Sequence, residues 1–245
     1  ITLFNYIMSS LQGKNAIITG GGRGLGKAVA LLLAQEGVNI GITGRNEENL
    51  KNTVDELQKN GVKATYAVFN VANKTEVDNG IKELVSTLGG VDILVNNAGI
   101  GWFGKLEDMS TTDWEQVMQT NLFGVYYTAM AVYPFMKENG SGDVINVAST
   151  AGLKGGANMS AYAASKAAVI SLSQSMMAEW RKNDIRVFTL TPSTIATDMS
   201  IDGGLTDGNP DNVLQPEDFA EWVRDILKMK SRALIANGSI FSTNP

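Results

Sequence analysis

From residue 15 to residue 192, short apolar runs alternate with longer segments of helical period. That alternation fixes the layering, because strands apolar on both sides must be covered by helices above and below. Strands are expected over 15–19, 38–43, 63–69, 91–95, 143–148 and 185–191, with a last short one inside 233–242. Helices are expected over 24–36, 46–60, 74–88, from a cap at Thr112-Asp113 to about residue 138, over 160–181 and over 216–228. Gly37, Gly61 and Gly89-Gly90 follow three of these helices, where a left-handed residue closes the last turn. No linker, low-complexity tract or fixed-period repeat interrupts the 245 residues. The expected fold class is α/β, a doubly wound parallel sheet of about seven strands in a single domain over 1–245. Residues 1–7 are expected to be a leader or vector remnant, with Met8 as the start.

The residue inventory narrows the chemistry. The chain has no cysteine, which removes disulfides, thiolate metal sites and cysteine nucleophiles. It also has no histidine, which removes Ser-His-Asp triads, histidine-ligated zinc and imidazole bases. Acid–base work must fall to Tyr, Lys, Asp or Glu, and no metal site is expected. A net charge of −5 argues against a nucleic-acid partner or an anionic membrane surface. The longest apolar run, 28–34, is too short to span a bilayer, and residues 1–7 lack a basic start and a cleavage site. A cytoplasmic location is expected.

The first strand runs directly into Thr19-Gly-Gly-Gly-Arg-Gly-Leu-Gly26 and then a helix. Glycines there allow a tight turn, a close approach of backbone to a pyrophosphate, and tight packing of helix on strand, with the phosphates on the helix N–H groups. A Rossmann-type dinucleotide site results, with Gly20, Gly22, Arg23, Gly24, Leu25 and Gly26 as its phosphate turn. The spacing differs from the usual G-x-G-x-x-G. A P-loop is nearly present in Gly21, Gly26 and Lys27, but Ala28 stands where the magnesium-holding hydroxyl is needed. A structural glycine turn without ligand remains open. An NAD site would place Asp or Glu at the end of strand two. This chain has Thr43-Gly44-Arg45 instead, and Arg23 with Arg45 could grip a 2′-phosphate, so NADP(H) is the expected cofactor. The plainer alternative leaves both arginines as solvated charges.

Tyr162-Ala-Ala-Ser-Lys166 places a phenol and an ammonium on one helix face. At about 5 Å and an effective dielectric of about 20, the cation would favour the phenolate by roughly 3 kcal/mol, about two pKa units. A phenol so tuned could exchange a proton with a carbonyl oxygen. Tyr133-Pro-Phe-Met-Lys137 has the same spacing.

Thr19-Gly20-x-x-x-Gly24-x-Gly26, Asn96-Asn-Ala-Gly99, Asn121, Ser149 and Tyr162-x-x-x-Lys166, in that order, resemble the short-chain dehydrogenase/reductases, and among them the bacterial 3-oxoacyl-[acyl-carrier-protein] reductases. The resemblance covers the chain from about Leu11. It selects Tyr162, thirteen residues beyond Ser149 at the end of a strand, and leaves Tyr133 and Lys137 as packing and solvent-facing residues. It implies that Tyr162 donates the proton, that Lys166 tunes it and holds the nicotinamide ribose, and that Ser149 holds the substrate carbonyl. Asn121 would anchor a water relaying protons to Lys166, or, more plainly, be a buried amide satisfied by backbone. For Ser149 the plainer alternative is a turn serine. Cofactor contacts are further implied for 96–99, with Asn96 closest and Asn97, Ala98 and Gly99 following, for Asn70 and Val71, and for Pro192, Ile195 and Thr197.

Three departures stand out. Asn70 occupies the place of the family's usual Asp after strand three, Pro192-Ser193 replaces Pro-Gly, and the tail 238–245 lacks the Val-Asp-Gly-Gly ending of acyl-carrier reductases. Trp102, Phe103, Leu153, Met159, Met199, Ile201 and Leu205 suggest an apolar substrate mouth, and 198–212 a lid. The resemblance implies a homotetramer or homodimer. The leading expectation is NADPH-dependent reduction of a ketone in a small-molecule or acyl-thioester substrate, most simply a 3-oxoacyl thioester. An NAD(P)-dependent alcohol or sugar dehydrogenase is the second, and a non-catalytic dinucleotide-binding redox sensor the third.

Overall fold

The computed structural model describes residues 8–243, so the expectation for residues 1–7 lies outside the described residues. Seven parallel strands form one sheet in the order β3-β2-β1-β4-β5-β6-β7. They are β1 Asn15–Thr19, β2 Asn39–Gly44, β3 Ala64–Val68, β4 Ile93–Asn96, β5 Gly142–Val147, β6 Ile185–Pro192 and β7 Asn237–Ile240. Side chains alternate across the sheet as a strand requires. Ala16 and Ile18 of β1 enter one core with Ile40, Ile42, Val95 and Phe188. Ile17, Leu94, Val144 and Val187 enter the other.

Helices α1 (Gly24–Gln35), α2 (Glu47–Gln58) and α8 (Pro216–Leu227) cover the first face. Phe219, Ala220, Val223, Ile226 and Leu227 of α8 recur at helical spacing and are all buried there. Helices α3 (Lys74–Leu88), α5 (Gly124–Asn139) and α6 (Ser160–Trp180) cover the second. Asn46 caps α2 by accepting from the Asn49 N–H at 2.9 Å, and Gly37, Gly61 and Gly89 follow α1, α2 and α3 at φ of +80°, +74° and +90°.

One expected helix differs. The segment 112–138 is capped two residues earlier, by Ser110, and runs as α4 (Thr111–Met118), a π-helical turn over Gln119–Phe123, and α5. Asn121 lies in that widened turn. Tyr133 stacks on Trp180 with ring centres 4.5 Å apart, and Lys137 stays exposed above it, as packing and solvent-facing residues.

Strand order reverses between β1 and β4. The chain builds β2 and β3 on one side of β1, then returns to lay β4, β5, β6 and β7 on the other. The turns leaving β1 and β4 diverge and open a crevice at the carboxyl edge of the sheet, where open α/β sheets bind ligands.

Candidate active site and dinucleotide crevice

A crevice of about 730 Å³ runs along this edge. Its walls come from the segments that follow β1, β2, β3, β4, β5 and β6, so nearly every site residue is placed by its position just past a strand. At one end the turn after β1 wraps the start of α1. Gly20 and Gly24 take φ of +67° and +53°, values that favour glycine. A Cβ on Gly26 would stand 2.3 Å from the Gly20 carbonyl oxygen, so the helix can reach the strand only without a side chain there. Gly26 therefore supports the turn from below, whereas Gly20, Gly22, Arg23, Gly24 and Leu25 face the crevice.

Thr19 ties this turn to the one after β4. Its hydroxyl accepts the N–H groups of Asn97 and Ala98, each at 3.0 Å, and Asn97 Nδ2 donates to the Thr19 carbonyl at 2.9 Å. Asn97, Ala98 and Gly99 line the crevice. Asn96, expected to be the closest of the four, points to the opposite face. It donates to Asn146 Oδ1 at 2.9 Å and accepts from Thr128, in a buried set closed by Asn146 and Ser173. Period-two alternation puts Asn96 on the α5 side with Leu94.

The first turn of α1 carries no acidic residue, and its N-cap, Arg23, makes no side-chain cap. Its N–H groups are left for an anion. Beyond it, the Thr43 hydroxyl at the end of β2 is buried, borders the crevice and has no hydrogen-bond partner among the described residues. An uncapped helix start, a glycine-rich turn and an orphaned hydroxyl together fit a dinucleotide. Arg45 borders the crevice, is exposed and enters no ion pair among the described residues. Arg23 instead pairs with Asp198 at 3.3 Å. Asn70 and Val71 also line the crevice, with Asn70 Oδ1 accepting from the Ala72 N–H at 3.0 Å. Pro192, the last residue of β6, lines it with Ile195 and Thr197 beyond.

At the other end Ser149, Tyr162 and Lys166 converge. Ser149 lies two residues past β5, and its hydroxyl accepts from the Ala151 N–H at 3.1 Å, a turn bond that leaves its own proton to donate. Tyr162 and Lys166 lie on the same face of α6, with the lysine nitrogen 5.7 Å from the phenol ring centre. The expected depression of the phenol is absent. Burial pushes the Tyr162 phenol above its ordinary value, and the Ser149 hydroxyl pulls only part of the way back. Lys166 is 4% exposed and donates to the Val147 carbonyl at 2.8 Å. Burial lowers its pKa to about 8, so its charge is itself weakened.

Asn121 does not line the crevice. Its Oδ1 accepts from the Ile100 N–H at 2.8 Å, and its Nδ2 donates to the Ile100 carbonyl and to Ser165 Oγ at 2.9 and 3.0 Å. Both polar atoms of the amide thus have protein partners. It fixes the strand-four loop against α6, and its Oδ1 lies close behind Gly99.

The apolar mouth is partly as expected. Phe103, Met159, Met199 and Leu205 line it, and the Phe103 ring is 6.0 Å from that of Tyr162. Trp102, Leu153 and Ile201 do not; Trp102 folds over Gly104, and Leu153 and Ile201 face solvent. The 198–212 segment begins with a short helix, α7 (Asp198–Asp202), held by reciprocal bonds between Thr197 and Ser200. Thr43 and Lys154 border the crevice and were not singled out in the sequence. The strand-end position of Thr43 was the available signal for the first; Lys154 lies in a loop of no regular period, which gives none.

A family model described as short chain dehydrogenase matches residues 14–205. An uncharacterized oxidoreductase of Staphylococcus aureus (strain USA300) is 37% identical over 216 residues, 88% of this chain and 91% of that protein. The gluconate 5-dehydrogenase of Gluconobacter oxydans (strain 621H) is 32% identical over 87% of this chain and 80% of its own length. Among solved structures, a short chain dehydrogenase from Burkholderia cenocepacia J2315 in complex with NADP superposes with a TM-score of 0.89 at 29% identity, covering 96% of this chain and 99% of that one. An NAD+-bound xylitol dehydrogenase does so with a TM-score of 0.88 at 26% identity, covering 96% and 100%.

Proposed function

This chain belongs to the short-chain dehydrogenase family, and from that premise we propose that it reduces a ketone to a secondary alcohol with NADPH. The supporting observation is the convergence of Ser149, Tyr162 and Lys166 in the crevice that also holds the uncapped start of α1. When bound, the nicotinamide supplies the hydride.

The protein's own groups supply the rest. A phenol whose pKa is raised by burial is fully protonated near neutrality, which suits a proton donor for the oxygen of a ketone being reduced. Ser149 can donate to the same oxygen, so two hydroxyls meet the negative charge as it develops. Lys166, held beneath by Val147, supplies positive potential under the phenol, and it would bind a ribose hydroxyl of the cofactor. Phe103 and Met199 line that corner with apolar surface. Arg45, without an ion pair among the described residues, supports a 2′-phosphate and thus NADPH over NADH. The proposed substrates are 3-oxoacyl thioesters or similar ketones. The enzyme would act in the cytoplasm as a homotetramer or homodimer.

Running the same chemistry in reverse, as an NAD(P)-dependent alcohol or sugar dehydrogenase, is the second reading. It is supported by the relatives named for gluconate and xylitol. A sensor without catalysis would have no use for paired hydroxyls over a buried amine. A panel of ketones, including acetoacetyl thioesters, followed by loss of NADPH absorbance, tests the proposal. Tyr162→Phe should lower turnover by about 10²- to 10⁴-fold while NADPH still binds. Turnover that persists in this variant would remove Tyr162 as the proton donor.

A further inference from the structure

The charges around the crevice are unevenly distributed. Four cationic side chains border it, Arg23, Arg45, Lys154 and Lys166, against one carboxylate, Asp198. That carboxylate is committed to Arg23, and Arg45 belongs to the phosphate end. Lys166 is buried beneath the phenol. The substrate end is therefore left with one solvent-reaching charge, Lys154.

The local sequence puts it there. The chain leaves β5 through Ser149, makes a 3₁₀ turn over Thr150–Gly152, and returns through Gly155 and Gly156 to Met159 and α6. The Lys154 N–H donates to the Thr150 carbonyl at 3.2 Å, which sets the residue directly over the turn that presents Ser149. Its side chain enters no ion pair and no hydrogen bond among the described residues. Phe103, Met159, Met199 and Leu205 give the same crevice apolar walls. An uncompensated cation at the rim of an apolar cleft, in a chain of net charge −5, concentrates anions at that mouth.

Resting on the ketone-reductase reading, we propose that Lys154 is a specificity-determining residue, and that the substrate is a ketone with an apolar body bearing an anionic group remote from the carbonyl. A carboxylate on a small oxo acid and a phosphate on the arm of an acyl thioester share this chemistry. Reduction adds a hydride to the carbonyl carbon and a proton to its oxygen, and leaves the remote anion unchanged.

Matched pairs separate the sources: a medium-chain oxo acid with its methyl ester, and acetoacetyl-coenzyme A with the neutral N-acetylcysteamine thioester. A charge-assisted contact at a partly open site gives an expected preference for the anionic member of about fivefold to tenfold in kcat/KM, carried by KM. The preference should collapse to near unity in Lys154→Gln, return in Lys154→Arg, and shrink as salt is raised. Preference confined to one pair identifies carboxylate or phosphate. A preference that survives Lys154→Gln, or none in the wild type, overturns the proposal. Calorimetric binding of the corresponding hydroxy acid and hydroxy ester to the NADP+-loaded protein reads the same discrimination without turnover. Failure of every ketone to react, with the acid still bound more tightly through Lys154, would refute the reductase reading and leave only the Lys154 contact with an anionic ligand standing.

Discussion

Lys166 gives its ammonium to the carbonyl of Val147 at 2.8 Å. The last residue of β5 therefore anchors the cation, and the phenol oxygen meets it only through the field beneath the ring. This pairing determines how the cofactor-free protein should respond to pH.

Burial lowers the lysine to about 8, against about 10.4 in an unfolded chain. Between those values the folded state has released a proton that the unfolded state still holds. Stability must therefore rise with pH over roughly 8 to 10. Above about 10 the raised Tyr162 phenol acts in the opposite sense, because the unfolded chain ionises first. Urea midpoints at about pH 7.5, 8.5 and 9.5 should increase in the wild type, and the increase should shrink in Lys166→Met. Identical slopes in the two proteins would show that the amine is solvated in solution.

Cofactor choice depends on which guanidinium is free. Arg45 makes no ion pair among the described residues, whereas Arg23 is engaged by Asp198 at 3.3 Å, with both partners exposed. Arg45→Ala should weaken NADPH by about tenfold, the scale of a charge-assisted bond, with little effect on NADH. Asp198→Asn should tighten NADPH slightly, by about two- to threefold, since an exposed pair contributes little and its loss frees Arg23. Titration of the bound nicotinamide's fluorescence reads both. Equal losses for the two cofactors in Arg45→Ala would remove it from the 2′-phosphate site.

The fold was legible because the inner strands β1, β4, β5 and β6 are buried on both faces and read as mostly apolar runs, and glycines mark the helix ends. The crevice was legible because its residues follow strands directly. Three features were hidden for identifiable reasons. The π-helical turn at Asn121 has no proline to mark it; only Gly124, where a Cβ would press to 2.8 Å from Val71, hints at crowding. The opposite facing of Asn96 and Asn97 follows from alternation, but only once Leu94 is known to face α5. The direction of the Tyr162 shift needed the burial and the competing acceptor at Val147, neither of which a four-residue spacing encodes.

At the opposite edge of the sheet, Arg186 grips Asp143 through two bonds, of 2.6 and 2.9 Å, and donates to the carbonyls of Leu227, Met229, Lys230 and Ala233. Both side chains are buried. The guanidinium thus serves the carbonyls of Leu227, Met229 and Ala233 at the end of α8 and in the loop after it, and shares that of Lys230 with the Ala233 N–H. Arg186→Met strands a buried carboxylate, with Lys14 at 3.8 Å as its remaining cation, and should cost about 3–5 kcal/mol in urea unfolding. Asp143→Leu combined with Arg186→Met removes both charges and should recover part of that loss, although the carbonyls of Leu227, Met229 and Ala233 still lose the guanidinium. Because the pair lies at the amino edge of β5 and β6, far along the strands from Ser149, KM in any folded fraction should hold at its wild-type value. A double variant as unstable as the sum of its singles would mean that the pair is not coupled and that the carbonyl contacts carry the whole effect.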